Sequence, residues 1–398
     1  MVRSLSSDPV LRPLSAILHF RDVPVGPSPN RETPGALWPD FARQTDARLW
    51  RRGRRVCRAP SLTPETCRVE HAPAAFVSCV EPHFGHFVSE AVPRLPQLLA
   101  EVPDLPLVFT HDRKTDPKAL PAVFTQVLDW LDIPPSQLRL ISRPTLFREL
   151  CIAAQAEHLD GPRTPESYLD LLDARIASKL PRGRPEGVTY VTRAGLDPIK
   201  GSHAGEGYLV ACLRELGVRV IYPENMTLCE QMKAYASSAH LVFAEGSALH
   251  GRQLIGRLDQ QISVLRRRRK SEMAQGQIAP RCAQLHYVSA YGGGLHVVNR
   301  YGAKVLFAMK ALFHAEAVLE HFESLDVPLR RIWDMAQYRA ARDRDVLDWV
   351  HAAYNPSLPR WLRAVNEDDY LFEQMRALHL KHLRRPARAI IRAWRAHG

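Results

Sequence analysis

The sequence lacks long hydrophobic runs. No apolar stretch in its 398 residues approaches the roughly 20 residues that a membrane-spanning helix needs. Asp8, Pro9, Arg12 and Pro13 interrupt the segment in which a signal peptide would carry its apolar core. We therefore expect a protein that works in the cytoplasm.

Cysteine pairs are also absent. The seven cysteines are odd in number, scattered, and include no Cys-x-x-Cys pair. Such spacing excludes a disulfide framework and gives no structural zinc site, so we expect reduced thiols, no bound metal and no cofactor. The cysteines are Cys57, Cys67, Cys79, Cys151, Cys212, Cys229 and Cys282.

Acidic residues are too few to balance the basic ones. The chain has 54 Lys and Arg against 42 Asp and Glu, a net charge of +12, which favours an anionic partner or surface. Zinc-finger spacing, RNP-like aromatic motifs and a helix-turn-helix with a basic face are all missing, so we expect no nucleic acid partner. One basic cluster, Arg266 to Lys270, is interpreted as a solvated loop.

The other basic cluster is the C-terminus. Residues 376–398 contain seven Lys or Arg and no acid. A helix there would place apolar side chains on one face and arginines around the other. The apolar face would comprise Leu383, Ala387, Ile390, Ile391 and Trp394, and the basic face Arg384, Arg385, Arg388, Arg392 and Arg395. Two interpretations stay open: an interfacial anchor on anionic lipid at the inner face of the membrane, or a helix that packs on the protein body.

Strands alternate with helices in the second half of the chain. Helical spacing covers Glu206–Leu216, and Thr227 with Glu230 forms a capping box before a helix that ends near Ser238. This alternation predicts a parallel sheet that binds ligands beyond the carboxyl ends of its strands. The predicted strands are Val188–Thr192, Val218–Tyr222, His240–Ala244 and Ile262–Leu265.

One strand end has the features of an anion site. The stretch Val242–His250 reads as a buried strand that breaks at Gly246 and opens into a helix, whose first N–H groups and dipole favour a negative charge. Arg193 follows the first strand at the same sheet edge, with Lys200 and His203 in the loop beyond it. The alternatives are an ordinary strand-to-helix connection and a solvated arginine.

The first half shows a weaker α/β pattern. The first 55 residues are rich in Pro and Arg and are interpreted as an irregular lead-in. A helix from about residue 120 to 131 lies among the predicted strands, and together they indicate a second, smaller open sheet. These strands are Ala75–Val80, Leu107–Phe109, Leu138–Ile141 and Leu150–Ala154.

Two histidines and a carboxylate follow the first of these strands. His86 and Glu90 are four residues apart and share a face if the segment is helical, and His83 precedes them. Three interpretations compete: a metal site, which finds no further ligands; a structural pair; or an acid/base pair in which the carboxylate takes a proton from a sugar hydroxyl.

Five ordered blocks in residues 75–290 resemble glycosyltransferase family 61, most closely its bacterial members for capsular and other surface polysaccharides. The blocks are Phe84-Gly-His-Phe-x-x-Glu90-x-x-Pro-Arg-Leu95, Tyr190-Val-Thr-Arg193, Leu216-Gly-x-x-Val220, Leu228-x-Glu-Gln231 and Glu245-Gly-Ser-Ala-Leu249.

The resemblance implies a GT-B-like arrangement, with two Rossmann-like domains facing a cleft and a helical C-terminal tail that packs back across the first domain. Residues 1–165 would form the acceptor-side domain with its lead-in 1–55, residues 185–300 the nucleotide-sugar domain, and residues 301–398 the tail. The family is typically inverting and lacks an Asp-x-Asp metal motif. Here Asp343 and Asp345 lie in a helical stretch away from any strand end.

The resemblance also implies roles for individual residues. Glu90, or His86 in its place, would deprotonate a saccharide or lipid-linked acceptor. Seven residues would contact the nucleoside diphosphate of a sugar donor: Arg193, Lys200, Glu245, Gly246, Ser247, Ala248 and His250. Glu245 and His250 depart from the family's His-Gly-Ala-Gly-Leu-Thr-Asn turn. The alternatives are a pyruvyl-type or other GT-B-like transferase and a catalytically inactive scaffold of a polysaccharide assembly complex.

Overall fold

The computed structural model describes residues 13–28, 33, 35–51, 54–56, 58–111, 120–359, 361–364 and 368–396. This part of the chain is a mixed α/β structure, as predicted. The strands are β1 Leu18–Val25, β2 Trp50–Arg51, β3 Arg54–Arg55, β4 Arg68–Glu70, β5 Ala74–Cys79, β6 Leu107–Thr110, β7 Leu138–Ile141, β8 Thr145–Ile152, β9 Val188–Val191, β10 His203–Ala204, β11 Arg219–Ile221, β12 His240–Ala244, β13 Gln261–Leu265, β14 Gln284–Val288, β15 Tyr291–Leu295 and β16 Lys310–Phe313. The helices are α1 Phe84–His86, α2 Leu95–Glu101, α3 Ala122–Trp130, α4 Glu166–Ile176, α5 Glu206–Glu215, α6 Leu228–Ala236, α7 Gln275–Ile278, α8 Ala315–Glu323, α9 Met335–Ala353, α10 Asp368–Ala377 and α11 Arg384–Ala396.

The second half contains a five-stranded parallel sheet in the order β11-β9-β12-β13-β14. Its four predicted strands are all present, and the capping box of Thr227 and Glu230 opens α6 as expected. Both sheet faces are buried, because Leu241 and Phe243 of β12 join one core cluster while Val242 and Ala244 join another. Burial on both faces is typical of parallel sheets and explains the continuous apolar run of β12.

The first half contains a six-stranded sheet with the path β1-β8-β5-β6-β7, and β4 pairs with β8 off this path. The predicted smaller sheet is therefore wrong, and β1 is a regular strand within the stretch interpreted as an irregular lead-in. β1 pairs antiparallel with β8 at the sheet edge, where Pro24 is tolerated because its missing N–H costs no ladder bond. Pro24 and the positive φ of Asp22, 54°, break the alternation that would have shown the strand in the sequence.

The two halves share a core. One hydrophobic cluster contains Phe87 and Phe124 from the first half together with Met232 and Phe243 from the second. α3 packs on α6, and α1 packs on a 3₁₀-helix at Ser247–Leu254. The chain segments that the sequence analysis treats separately therefore meet at the carboxyl edge of the second sheet. The domain boundaries near residues 165, 185 and 300 stay a prediction.

The segment from residue 301 onward is mostly helical but also contributes β16, which pairs with β10 and β15. Its helices pack on the second half of the chain. One hydrophobic cluster joins Trp349 and Ile391 of these helices to Ile199 and Leu295, and among the described residues it includes none from the first half. The expected packing across the first domain is therefore not seen in this cluster.

The C-terminal helix α11 packs on the protein body. Its residues Ala387 and Ile391 are buried, as is Leu383 just before it, and the Trp394 Nε1–H donates a 2.8 Å hydrogen bond to the carbonyl of His351. The packing interpretation of the apolar stripe is thus the one that the structure supports. Across the described residues, no helix is both long enough and apolar enough to span a bilayer.

The six cysteines that the structure describes are free thiols, and Cys57 lies outside the described residues. In the same described ranges, no group of three or more His, Cys, Asp or Glu side chains is arranged to hold a metal ion.

Candidate functional site

A cavity of about 290 Å³ lies where the two halves meet. Phe84 and Val123 line it from the first half, and Arg193, Ser247 and Ala248 line it from the second. Most of its exposed wall is apolar, and Gln126, Thr192, Glu224 and Gln231 add polar groups to those of Arg193 and Ser247. A mainly apolar wall with a few polar groups is the usual composition of a small-molecule site. Three of the residues predicted to contact a nucleoside diphosphate therefore face one cavity.

Arg193 follows β9 and is 8% exposed. Its Nε donates to the carbonyl of Gly201 at 3.0 Å, and its Nη2 donates to the carbonyls of Lys200 and Gly201, both at 2.8 Å. Burial lowers the pKa of Arg193, and the carboxylate of Glu206 opposes this shift. Because Nη2 already donates to two carbonyls, Arg193 cannot hold a phosphate through both of its terminal amino groups. Nη1 makes none of these three hydrogen bonds.

Gly246 lies directly against that Nη1 group. A Cβ atom at residue 246 would stand 2.1 Å from Arg193 Nη1 and 2.7 Å from its Cζ, far inside van der Waals contact. The backbone at Gly246 is extended, with φ 174° and ψ −174°, so glycine is required here for close approach and not for its torsion angles. The break in the strand makes room for the guanidinium.

The turn after Gly246 opens a 3₁₀-helix, Ser247–Leu254, and not the α-helix that the sequence predicts. Its first N–H groups, those of Ser247 and Ala248, have no hydrogen-bond partner inside the helix. A Cβ at Gly85 would stand 3.1 Å from the Ser247 Cβ and 3.1 Å from His250 Cδ2. Gly85 thus lets α1 pack tightly against this turn.

The Glu245 carboxylate binds groups of the protein itself. Its side chain is 1% exposed and accepts hydrogen bonds from the N–H groups of Arg267 and Arg268, at 2.6 and 3.0 Å, and from Ser271 Oγ at 2.6 Å. The Arg268 guanidinium pairs with it. These contacts hold the basic segment Arg266–Lys270 at the strand end, so the interpretation of that segment as a solvated loop is wrong for Arg267, which is 5% exposed.

His250 is buried and does not line the cavity. Its Nδ1 lies 2.7 Å from Gln253 Oε1, and Gln253 Nε2 donates to Glu157 at 2.9 Å. This orientation makes the amide oxygen the acceptor, so the Nδ1 of His250 carries the proton. Glu157 forms a fully buried ion pair with Arg281 at 2.8 Å. Burial lowers the pKa of His250 and keeps the ring neutral.

Lys200 and His203 flank the Arg193 loop in different ways. Lys200 is exposed, and its carbonyl anchors Arg193. His203 is buried and stacks on Phe313 with ring centroids 4.1 Å apart, and burial lowers its pKa to about 3. His203 is therefore a core residue.

His86 and Glu90 lie on one helical stretch of changing pitch, which passes from α1 through a π-turn at Phe87–Ala91. Pro93 has no N–H to offer to the carbonyl of Ser89, and the Gln155 side chain donates to that carbonyl instead, at 3.2 Å. The π-turn still leaves His86 Nδ1 only 2.8 Å from Glu90 Oε1. π-turns of this kind are frequent at functional sites.

Two residues that the sequence analysis missed complete this group. Arg51 of β2 lies 3.5 Å from Glu90 Oε2 through its Nε and 3.1 Å from Glu81 through its Nη2. The Glu90 side chain is 11% exposed, whereas the His86 side chain is 20% exposed. The carboxylate is thus held between a guanidinium and an imidazole, and the imidazole is the more accessible of the pair. No local signal marks Arg51, which lies in an Arg-rich stretch of the lead-in.

The part of the chain that contains both sites matches a known protein family. Residues 84–252 match the model of the Glycosyltransferase 61 family. The protein is a glycosyltransferase. No curated protein matches the chain. The family 61 region contains His86 and Glu90 as well as the Arg193 and Gly246 strand ends, while Arg51 and Glu81 lie before it.

Within the family 61 region the predicted residues divide into three groups. Arg193, Gly246, Ser247 and Ala248 lie together at the cavity end. His86 and Glu90 form a separate pair that does not line this cavity, although α1 joins the two sites through Gly85. Lys200, Glu245 and His250 do not line the cavity either.

Proposed function

We propose that the protein transfers a sugar from a nucleoside-diphosphate sugar to a hydroxyl of a saccharide or lipid-linked acceptor, in the biosynthesis of a cell-surface polysaccharide. The observation that carries the proposal is the Arg193 Nη1 group, held against Gly246 at the end of a cavity lined from both halves. The nucleoside would occupy the apolar part of the cavity, and the diphosphate would lie at Nη1 and the N–H groups of Ser247 and Ala248.

The cationic strand end would stabilise the leaving group. As the bond to the anomeric carbon breaks, negative charge grows on the diphosphate, and fixed donors that are already oriented stabilise it without reorganising. Three carbonyl hydrogen bonds fix Arg193 before any ligand arrives. A fixed guanidinium of this kind supports the proposal of a reaction that needs no metal.

The acceptor hydroxyl would lose its proton to the His86 and Glu90 pair. In this role His86 Nδ1–H would donate to Glu90 Oε1, whose carboxylate Arg51 also contacts, and His86 Nε2 would accept the proton. The greater exposure of His86 favours it as the base, with Glu90 orienting the ring. Attack by the hydroxyl in a single displacement would invert the anomeric centre.

Two sheets that meet at a cavity support a GT-B-like arrangement. The sheet of β1 and β4–β8 would present the acceptor and the sheet of β9 and β11–β14 the donor. Glu245 and His250 are left out of the proposed donor contacts, because their polar atoms already bind Arg268, Ser271 and Gln253.

A donor assay tests this proposal. The protein is incubated with uridine, guanosine and cytidine diphosphate sugars, and release of the nucleoside diphosphate by transfer of the sugar to water is measured. We expect release from one donor class, and a loss of roughly 10-fold or more in Arg193→Gln from removal of a charged hydrogen bond. Arg330→Gln, which removes an exposed arginine paired with Glu316 and Glu323, is the matched control and should behave as wild type. Binding of phosphoenolpyruvate in place of nucleotides would favour a pyruvyl-type transferase, and no turnover with any donor would favour a scaffold.

A further inference from the structure

Exposed apolar side chains concentrate on one surface of the protein. Six large ones are exposed in the described residues: Val69, Tyr301, Leu306, Phe307, Met335 and Trp361. Four of them form what we call the aromatic patch, namely Tyr301, Leu306, Phe307 and Trp361, which are 63%, 49%, 54% and 53% exposed. The rings of Phe307 and Trp361 lie 5.9 Å apart. Exposed apolar side chains that cluster in this way are typical of interaction sites.

The backbone beneath the aromatic patch is fixed. The carbonyl of Phe307 accepts a 3.4 Å hydrogen bond from the buried Arg267, and the carbonyl of Trp361 accepts a 2.8 Å bond from Asn299 Nδ2. Asn299 also accepts from the N–H of Tyr301 at 3.0 Å through its Oδ1. The backbone that carries the exposed rings is therefore fixed by hydrogen bonds.

The chain segment that carries Tyr301, Leu306 and Phe307 has charges of one sign. The sequence has no Asp or Glu between Glu272 and Glu316, a stretch that carries the exposed Arg300 and Lys304. Arg300 stacks on the Tyr301 ring at 4.6 Å. The carboxylates that follow Trp361 along the described chain open α10, where Asp368 pairs with Arg395. The patch thus combines aromatic and aliphatic groups with flanking cations.

We propose that the aromatic patch docks on the surface of an anionic lipid bilayer. Trp and Tyr favour the headgroup region, Leu and Phe enter the acyl boundary, and Arg and Lys meet anionic lipid. A second copy of the chain fits less well, because a symmetric contact would bring Arg300 and Lys304 against like charges. A saccharide fits less well because the patch side chains include no amide or carboxylate. The proposal does not depend on the proposed reaction, and it places the lipid contact on this surface and not on α11.

Vesicle flotation tests the proposal with the full-length protein. The probes are vesicles of phosphatidylcholine alone and of phosphatidylcholine mixed with phosphatidylglycerol, at low and high salt. The triple variant Tyr301→Ser, Phe307→Ser, Trp361→Ser removes the rings of the aromatic patch. The double variant Val69→Ser with Met335→Ser is the control, because it removes two exposed apolar side chains outside the patch. Arg300→Gln with Lys304→Gln is compared with Arg385→Gln and Arg392→Gln on the exposed face of α11. Thermal unfolding checks that each variant folds.

We expect wild type to bind the anionic vesicles and to release them as salt rises. The triple variant should lose roughly 10-fold or more in partition, and Arg300→Gln with Lys304→Gln roughly 10- to 30-fold, while both control pairs bind as wild type. The proposal is overturned if wild type ignores anionic vesicles at low salt, or if the triple variant binds them normally. It is also overturned if Arg385→Gln with Arg392→Gln causes the larger loss of vesicle binding. The same holds if the triple variant changes only self-association or the KM for the acceptor.

Discussion

Adding one methyl group at Gly246 should release Arg193 from its position. The Cβ of Gly246→Ala would stand 2.1 Å from Nη1. Ordinary contact needs about 3.5 Å, so the guanidinium would have to move by roughly 1.5 Å. Its bonds to the carbonyls of Lys200 and Gly201 are now 2.8 to 3.0 Å long. A displacement of that size stretches them beyond hydrogen-bond distance.

The expected cost has two parts. Carbonyls that lose a charged donor are partly compensated by water from the cavity, so we expect the free energy of unfolding to fall by about 1–3 kcal/mol. Loss of a positioned charged contact with the diphosphate should weaken nucleoside diphosphate binding roughly 10- to 100-fold. The backbone itself adds no strain, because the extended torsion angles of Gly246 suit alanine.

Isothermal titration calorimetry with nucleoside diphosphates, beside urea unfolding, measures both effects. Gly207→Ala is the matched control, because a Cβ there meets nothing within 4 Å. Since Gly207 lies in α5, alanine should leave binding unchanged and stabilise the fold by about 0.5–1 kcal/mol. If Gly246→Ala bound the diphosphate as tightly as wild type, the idea that this glycine positions Arg193 for the donor would be refuted.

Three further predictions concern the His86 and Glu90 pair, the need for a metal, and the pH dependence of stability. Glu90→Gln should lower kcat by roughly 10²- to 10⁴-fold without changing donor affinity in calorimetry, because the His86 ring loses the carboxylate that orients it, and wild-type turnover in this variant would remove Glu90 from the mechanism. Chelation with EDTA should leave turnover unchanged because Arg193 holds the diphosphate, whereas a loss that Mg²⁺ restores would contradict this. Burial lowers the pKa of His203 to about 3 from its usual 6.5, so the unfolded chain binds a proton there that the folded chain does not. This contribution to stability is complete above pH 6.5 and is lost toward pH 3, by up to about 1.4 kcal/mol per pH unit. His203→Phe should therefore flatten the fall in urea-unfolding free energy between pH 6.5 and 4, and an unchanged slope would contradict the assignment.

Local patterns predicted the second sheet well. β9, β11, β12 and β13 are short apolar or β-branched runs bounded by turn residues, and the capping box before α6 is a contact within four residues. Such features are decided by neighbours along the chain, so a single sequence reveals them. The strand-end position of Arg193 followed from the same pattern.

Long-range contacts explain what the sequence did not show. β1 is recognised only through its pairing with β8, and Arg51 reaches Glu90 only after the chain has folded. The packing of Gly85 against Ser247 is likewise a contact between distant segments. None of these has a periodic or compositional signature.

Glu245 and His250 show the limit of judging a site by residue type. Both lie beside Gly246 and carry groups that often contact ligands. Glu245 instead meets Arg268 and Ser271, and His250 meets Gln253. The arginines after β13 were interpreted as solvated because the buried carboxylate that pairs with them follows a different strand, β12.

A crystal structure with a nucleoside diphosphate bound tests the central claim most directly. The account predicts a terminal phosphate oxygen within hydrogen-bond distance of Arg193 Nη1 and of the N–H groups that follow Gly246, with the nucleoside between Phe84 and Met226. A diphosphate bound elsewhere, with Arg193 still engaged only by the carbonyls of Lys200 and Gly201, would contradict it.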